Sequence, residues 1–242
     1  MQLATTATRA AKERPDNLVE RIYQVLKDDI FEFRLLPGDR FSEGDVAART
    51  AVSRTPVRQA LHRLEREGYL EVHFRSGWQV RPFDFERFEE LYDLRIVLEL
   101  AAVRRLCEMG AELPQRLDAL TRTWQVDAHQ RLTDGRAVSE LDEAFHCALV
   151  AAAGNREMAR THREITEKIR IIRRLDFTQQ PRIAATYDEH GRILEAILQR
   201  HAEPACRLLR EHIEVSKAEV RKITLHRLHC ARQRTGDRDG VD

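Results

Sequence analysis

One carboxylate and three imidazoles stand at spacings that could assemble a metal site. Asp142 and His146 are four residues apart, so on a helix their side chains share one face and can converge on one point. His190 and His212 each fall inside the apolar row of a later helical segment, which places them at or near the interior. One carboxylate with three imidazoles suits Zn²⁺ or Ni²⁺. These four residues are therefore candidate ligands of a divalent metal.

The same histidines have a simpler interpretation. The chain holds ten histidines, so pairs at helical spacing also arise by chance. An interior imidazole is more often satisfied by a hydrogen bond than by a metal ion. On spacing alone, a metal site and a hydrogen-bonded core therefore remain alternatives.

A second chemical signal is the segment 52–61, VSRTPVRQAL, which has the character of a nucleic-acid-binding helix. Ser53 can cap a helix there, and Pro56 is tolerated in its first turn. At about 100° per residue the helix has an apolar arc and an opposite polar arc. The apolar arc is Val57, Ala60, Leu61 and Leu64, and the polar arc is Arg54, Thr55, Arg58 and His62.

Charge supports DNA binding by this helix. Between Val46 and Leu64 there are four arginines and no acidic residue; the arginines are Arg49, Arg54, Arg58 and Arg63. The planar fork of arginine can form two hydrogen bonds to a guanine edge or to phosphate. The alternative is an ordinary solvated helix face. A preceding turn-linked helix and a following hairpin, with Arg75 and Gly77 at its tip, favour DNA.

The elements that must position these residues form two predicted domains. Residues 1–15 are predicted to be a flexible arm, and 231–242 a flexible polar tail. Residues 16–82 contain three helical segments and a hairpin, with a capping box of Ser42 and Asp45 at the second helix. Residues 83–230 contain six periodic helical segments. The predicted fold is mainly α: a winged helix-turn-helix domain followed by an all-α six-helix bundle.

Other side chains of the helical half have plainer interpretations. Trp124 and Phe145 are expected in the core. Arg170, Arg173 and Arg174 are expected to form a solvated face, or alternatively a dimer contact. His162 is expected to be a surface or structural histidine.

Composition narrows the classes of function. Hydrophobic residues make up 42% of the 242 residues, enough for a core, and 41 basic against 40 acidic residues leave a net charge of +1. A nucleic-acid site must therefore be a local basic patch. No apolar run approaches a membrane span or a signal-peptide core, so no membrane partner and a cytoplasmic location are expected. The four cysteines are far apart and form no CxxC pair, which argues against a disulfide framework.

The N-terminal half resembles the winged helix-turn-helix of GntR-type bacterial transcription regulators. The resemblance rests on residues 37–70, PGDRFSEGDVAARTAVSRTPVRQALHRLEREGYL. It implies that Arg54, Thr55 and Arg58 contact DNA and that the wing at Gly77 enters the minor groove. One departure is Gly44, where the family commonly has an arginine, so one usual DNA contact is absent.

The C-terminal half resembles the FCD effector domain of the FadR-like subfamily, and its six helices resemble the VanR-like branch. The matching residues are Leu94-Arg95, Glu99, Asp142 with His146, Gly154-Asn155, Glu189-His190 and His212. The resemblance implies a divalent metal, Zn or Ni, on Asp142, His146, His190 and His212. It also implies a small carboxylic acid bound near the metal. Arg95 matches a position that pairs with the ligand's carboxylate, and a salt bridge to Glu99 is the alternative.

Together these features predict a ligand-responsive transcription regulator that binds palindromic operator DNA as a homodimer. One alternative is a constitutive DNA-binding regulator whose metal site is purely structural. Another is a metal-dependent enzyme fused to a DNA-binding domain, with Glu143 or Glu189 as the general base. No HExxH or similar catalytic pattern supports the enzyme.

Overall fold

The computed structural model describes residues 15–73, 77–177 and 180–220, and most of them are helical. The predicted mainly α fold is confirmed. The predicted arm up to residue 14, Arg75 at the hairpin tip, residues 221–230 and the predicted tail lie outside the described residues. The chain divides into two compact units between Phe83 and Asp84.

The N-terminal unit combines three helices with a small antiparallel sheet. Its elements are α1 (Pro15–Phe31), β1 (Arg40–Phe41), α2 (Glu43–Thr50), α3 (Arg54–Arg66), β2 (Leu70–His73) and β3 (Gly77–Val80). The strand order is β1-β3-β2, and β2 and β3 are the predicted hairpin, with Leu70 opposite Val80. This is the winged helix-turn-helix that the sequence predicts.

Local chemistry explains where the helices of this unit begin and end. Helix α2 begins with the predicted capping box, in which the Ser42 side chain accepts from the Asp45 amide and the Asp45 side chain accepts from the Ser42 amide. Ala51 takes a left-handed conformation and ends α2. Ser53 is the N-cap residue of α3, as predicted, but its side chain makes no capping hydrogen bond.

Helix α3 buries the predicted apolar arc. Val57, Ala60, Leu61 and Leu64 are all fully buried, and α3 packs against α1 and α2. Strand β1 was not predicted, because two residues are too few to show alternating hydrophobicity. It pairs with β3, with Phe41 opposite Trp78, and so fixes the wing to the start of α2.

The C-terminal unit is a bundle of six α-helices among the described residues. They are α4 (Phe85–Cys107), α5 (Leu113–Trp124), α6 (Gly135–Ala152), α7 (Arg156–Asp176), α8 (Gln180–Leu198) and α9 (Ala202–Val220). Apolar periodicity predicts one helix over residues 114–132, but α5 ends at Trp124 and a short 3₁₀ helix follows at Ala128–Gln130.

Helix α4 is the central element of this bundle. It packs against α6, α7 and α9, while α8 packs against α5 and α9. Trp124 and Phe145 are buried, as predicted, and their rings meet edge to face. Within the described ranges, no helix combines the length and apolar character that crossing a membrane requires.

Gly77 has a structural requirement besides its predicted place in the DNA-binding wing. Its φ is +88°, and a Cβ there would lie 2.6 Å from the carbonyl oxygen of Phe41. We expect Gly77→Ala to lower the free energy of unfolding by about 1–3 kcal/mol, measured by urea denaturation. Gly44→Ala is the matched control, because its Cβ would have no neighbour closer than 3.4 Å. A Gly77→Ala protein as stable as the parent would contradict this account.

Candidate metal centre and nucleic-acid interface

Three helices bring the four predicted metal ligands to one buried point. Helix α6 carries Asp142 and His146 one turn apart, α8 carries His190, and α9 carries His212. All four are buried, and one potential ligand atom from each lies within 4.8 Å of the others. The structure therefore brings together the whole set that sequence spacing selected.

The distances within this quartet suit a tetrahedral metal ion. The Nε2 atom of His212 lies 3.1 Å from that of His146 and 3.3 Å from that of His190. Asp142 Oδ1 lies 3.2, 3.5 and 3.7 Å from the Nε2 atoms of His190, His146 and His212. Ligands about 2.0–2.1 Å from a tetrahedral ion are roughly 3.3 Å apart. The four atoms thus lie at spacings that would suit the ligands of a divalent metal ion.

Two carboxylates turn the imidazole lone pairs toward that position. His146 Nδ1 donates to Glu99 Oε2 at 2.6 Å, and His212 Nδ1 donates to Glu189 Oε2 at 2.6 Å. With the proton on Nδ1, each Nε2 presents a lone pair to the centre of the quartet. Such carboxylate–histidine pairs commonly orient the histidine ligands of zinc.

The third imidazole is oriented by aromatic rings. His190 stacks on Phe145 with ring centroids 3.7 Å apart and meets the edge of Trp124 at 4.1 Å. Its Nδ1 is buried and has no hydrogen-bond partner among the residues that the structure describes. Packing, rather than a hydrogen bond, fixes this ring.

Burial keeps the quartet in the protonation states that a metal requires. It lowers the pKa of His190 to about 3 and that of His212 to about 4, and it lowers the pKa of His146 as well. For Asp142, burial favours the protonated acid, but the charge of the Arg173 guanidinium holds the pKa of this carboxyl well below its usual range. Near pH 7 the site offers three neutral imidazoles and one carboxylate, which fits a divalent cation.

Arg95 forms the salt bridge that was the alternative to effector binding. Its Nε donates to Glu99 Oε1 at 2.6 Å, and the side chain is almost wholly buried. Its Nη2 is also buried and lacks a hydrogen-bond partner within the described ranges. The salt bridge and the predicted effector contact of Arg95 are thus compatible, because Nε donates to Glu99 while Nη2 keeps donors that a ligand could use.

The expectation of a solvated arginine face on α7 is wrong for Arg173. That side chain is 2% exposed and forms an ion pair with Asp142, while its Nη1 has no partner in the described part of the chain. Arg170 and Arg174 are less deeply buried and pair with Glu143 and Glu140. The Glu143 carboxylate is therefore held by Arg170 in a bidentate ion pair.

His162 is a buried histidine whose contacts sequence reasoning missed. It is 0% exposed, and its Nε2 lies 2.9 Å from Glu99 Oε1, so Glu99 contacts both the candidate ligand His146 and a second histidine. The signal was present in the sequence: His162 and Arg173 lie on the same helical row as Ile165 and Ile169. That periodicity places both side chains on the inward face of α7.

The predicted DNA-contacting residues lie on the side of α3 that faces away from its core. Arg54, Thr55 and Arg58 are exposed. Arg58 forms a bidentate ion pair with Glu43 of α2. A Cβ at Gly44 would lie 3.5 Å from Arg54 Nη2, so Arg54 reaches over the position where the family commonly has an arginine.

Two further predicted contacts lie on either side of α3. Arg49, at the end of α2, keeps 47% of its side chain exposed and forms an ion pair with Asp29 of α1. Gly77 begins β3 and opens the returning strand of the wing. Arg75 lies outside the described residues, and its predicted role has no structural counterpart here.

Comparison with known proteins gives two family matches. The model for bacterial regulatory proteins of the gntR family matches residues 18–80, and the FCD domain model matches residues 90–215. The Nta operon transcriptional regulator of Aminobacter aminovorans is 33% identical over 195 residues, covering 80% of this chain and 89% of that protein. The HTH-type transcriptional regulator YdhC of Bacillus subtilis is 28% identical over 197 residues, covering 80% and 86%.

Solved structures agree on the fold. The crystal structure of a GntR transcriptional regulator from Rhodococcus sp. RHA1 superposes with a TM-score of 0.65 at 24% sequence identity, covering 86% of this chain and 99% of that one. At this identity the similarity concerns the fold alone.

The quartet and its neighbours allow a matched test of metal ligation. His190→Ala removes one converging Nε2, so elemental analysis of the purified protein should find much less bound metal. His162→Ala removes another fully buried imidazole of the same bundle but no ligand, and it should keep the metal while weakening its affinity about tenfold through Glu99. Equal metal content in His190→Ala and the parent protein would remove His190 from the site.

Proposed function

The chain belongs to the GntR family of bacterial regulatory proteins, with an FCD domain as its C-terminal half, and on that premise we propose how it binds DNA and responds to a ligand. The family and the relatives are transcription regulators and not enzymes. We propose a regulator that binds palindromic operator DNA as a homodimer. In this proposal a small organic acid, bound near a divalent metal, modulates DNA binding, and the protein acts at the bacterial chromosome in the cytoplasm.

The exposed arginines of α3 carry the DNA-binding part of this proposal. The apolar arc of α3 is buried, so Arg54, Thr55 and Arg58 must face outward. In a helix-turn-helix the second helix enters the major groove, and arginine there binds guanine or phosphate. The wing, at Gly77, would approach the neighbouring minor groove. Arg49 and Arg75 would contact the DNA backbone.

The proposed operator symmetry and the surface of α4 both support a homodimer. Palindromic half-sites one helical turn apart require two copies of the reading helix. Leu94 and Val97 lie one turn apart on α4, and they are 44% and 63% exposed. Exposed apolar side chains that lie together can form part of an interface. We propose that this face of α4 contacts a second copy of the chain.

The quartet would hold the metal, with Zn²⁺ or Ni²⁺ as the candidates. Asp142 Oδ1 and the Nε2 atoms of His146, His190 and His212 are the ligand atoms. A bound metal would supply positive charge, and a carboxylate could join it as a further ligand if the coordination number rises above four. The protein's own groups orient the ligands: Glu99 and Glu189 through His146 and His212, and Arg173 through Asp142.

Charge balance around the quartet favours an anionic effector. Three guanidinium groups and three carboxylates contact the ligands or their partners, so their charges cancel. They are Arg95, Arg173 and Arg182 against Glu99, Asp142 and Glu189. A divalent cation then adds two uncompensated positive charges in a buried place, which is costly. Each carboxylate of an organic acid would neutralise one of these charges, and it could pair with the unused N–H groups of Arg95 and Arg173.

The DNA contact is tested by substitution in α3. We expect Arg58→Ala to weaken operator binding by about 1–3 kcal/mol, because a base-reading guanidinium is lost. Arg66→Ala removes the same charge from the exposed last turn of the same helix and should have a much smaller effect. Affinities are measured by fluorescence anisotropy at fixed salt. Equal affinities for Arg58→Ala and the parent would show that α3 is not the reading helix.

The effector is tested with metal-loaded and metal-stripped protein against acetate, succinate, citrate and other small acids. At 100 times its Kd, a bound acid should add about 2.7 kcal/mol to the free energy of unfolding, and the melting temperature should rise accordingly. The rise should need the metal, and the same acid should change operator affinity. If no acid changes operator affinity, the protein is instead a constitutive DNA-binding regulator with a structural metal site.

A further inference from the structure

Glu43, the first residue of α2, holds the guanidinium of Arg58 by one edge. Arg58 Nε donates to Glu43 Oε1 at 2.8 Å, and Arg58 Nη2 donates to Glu43 Oε2 at 2.9 Å. These two parallel bonds fix the plane of the guanidinium as well as its position. Glu43 is thus the acidic partner of an arginine on the outward face of α3.

This pairing leaves the other edge of Arg58 available. A guanidinium has five N–H donors, and Glu43 accepts two of them, on the edge formed by Nε and Nη2. The remaining end edge, formed by Nη1 and Nη2, can still donate two parallel hydrogen bonds to guanine O6 and N7. The Arg58 side chain is 60% exposed, so that edge is accessible. Glu43 therefore orients Arg58 without using the donors that would contact a base.

The Glu43 carboxylate also lies near the positive charge of Arg54 and near the indole of Trp78 on β3. Trp78 is buried, and its ring meets the edge of His62 on α3. The bonds from Arg58 lower the pKa of Glu43, so the carboxylate is ionised. The Glu43 carboxylate thus connects the start of α2 to the reading helix, and Trp78 connects the wing strand to the same helix.

An acidic group at a DNA-facing surface needs a compensating role, because it repels phosphate. Two roles are conceivable: Glu43 could mask Arg58 from DNA, or it could hold Arg58 ready for a base. The free end edge of Arg58 favours the second. We propose that Glu43 is a positioning residue that gives Arg58 its sequence selectivity. This inference rests on the proposed contact between Arg58 and the operator.

The test compares operator and unrelated DNA for two variants that lose the same charge. E43Q breaks the bidentate pair, so it should bind operator about tenfold more weakly. It should bind unrelated DNA as tightly as the parent or more tightly, since one negative charge is gone. E20Q is the matched control, because it breaks the exposed pair of Glu20 with Arg63, another arginine of α3, and should keep the parent's selectivity.

A double-mutant cycle separates positioning from a general structural role. If Glu43 acts through Arg58, E43Q causes no further loss of operator affinity in a protein that already carries R58A. A loss that persists in that background would overturn the proposal. Two results with E43Q alone would also overturn it. Equal gains in affinity for operator and unrelated DNA would indicate that Glu43 masks Arg58, and an unchanged ratio of the two affinities would show that Glu43 does not affect selectivity.

Folding is monitored by the thermal midpoint, which an exposed ion pair should change little. If E43Q nevertheless unfolds, E43D keeps the charge but shortens the reach, and it must still lose selectivity. The R58A variant tells a failure of this inference apart from a failure of the proposed function. If R58A keeps operator affinity, Arg58 does not contact the operator; if R58A loses affinity and E43Q does not, only the role of Glu43 is wrong.

Discussion

The structure of the C-terminal unit depends on how its buried charges are compensated. An unpaired charge inside a helical bundle is too costly to persist, so each acidic group near the centre contacts a guanidinium: Asp142 with Arg173, Glu99 with Arg95, and Glu189 with Arg182. The three imidazoles remain neutral, and their lone pairs converge beside the Asp142 carboxylate. Because these groups come from α4, α6, α7, α8 and α9, a single electrostatic arrangement fixes five helices relative to one another.

Helix α4 could couple effector binding to dimerisation in the proposed function. Its inward face carries Arg95 and Glu99, and Glu99 contacts His146 on α6 and His162 on α7. Its outward face carries Leu94 and Val97, the proposed contact with a second copy. An effector that drew Arg95 away from Glu99 would change the hydrogen bonds of His146 and the inward face of α4 together. Coupling between sites requires such differential contacts, and α4 is an element that both sites share.

The sequence predicted residue positions correctly where the prediction depended only on which residues share one face of a helix. The four-residue step from Asp142 to His146, the inward rows of His190 and His212, and the two arcs of α3 all follow from helical periodicity, and the structure brings these residues together as expected. It failed where the deciding partner is distant in sequence. Arg173 was assigned to solvent because a charged residue is seldom buried, and only tertiary packing brings Asp142 beside it. Strand β1 is too short for a pattern, and whether Ser53 caps α3 depends on its rotamer.

The two halves use the same ion-pair chemistry with opposite consequences. In the bundle the pairs are dry, so removing one partner leaves a buried charge, and the arrangement is either complete or broken. On the N-terminal unit the pair of Glu43 and Arg58 is exposed, so it adds little to stability and leaves one edge of the guanidinium accessible. That difference suits the two proposed roles. A sensor would change state as a unit when a ligand arrives, whereas a reading arginine would be held by one edge while the other edge stays free for a base.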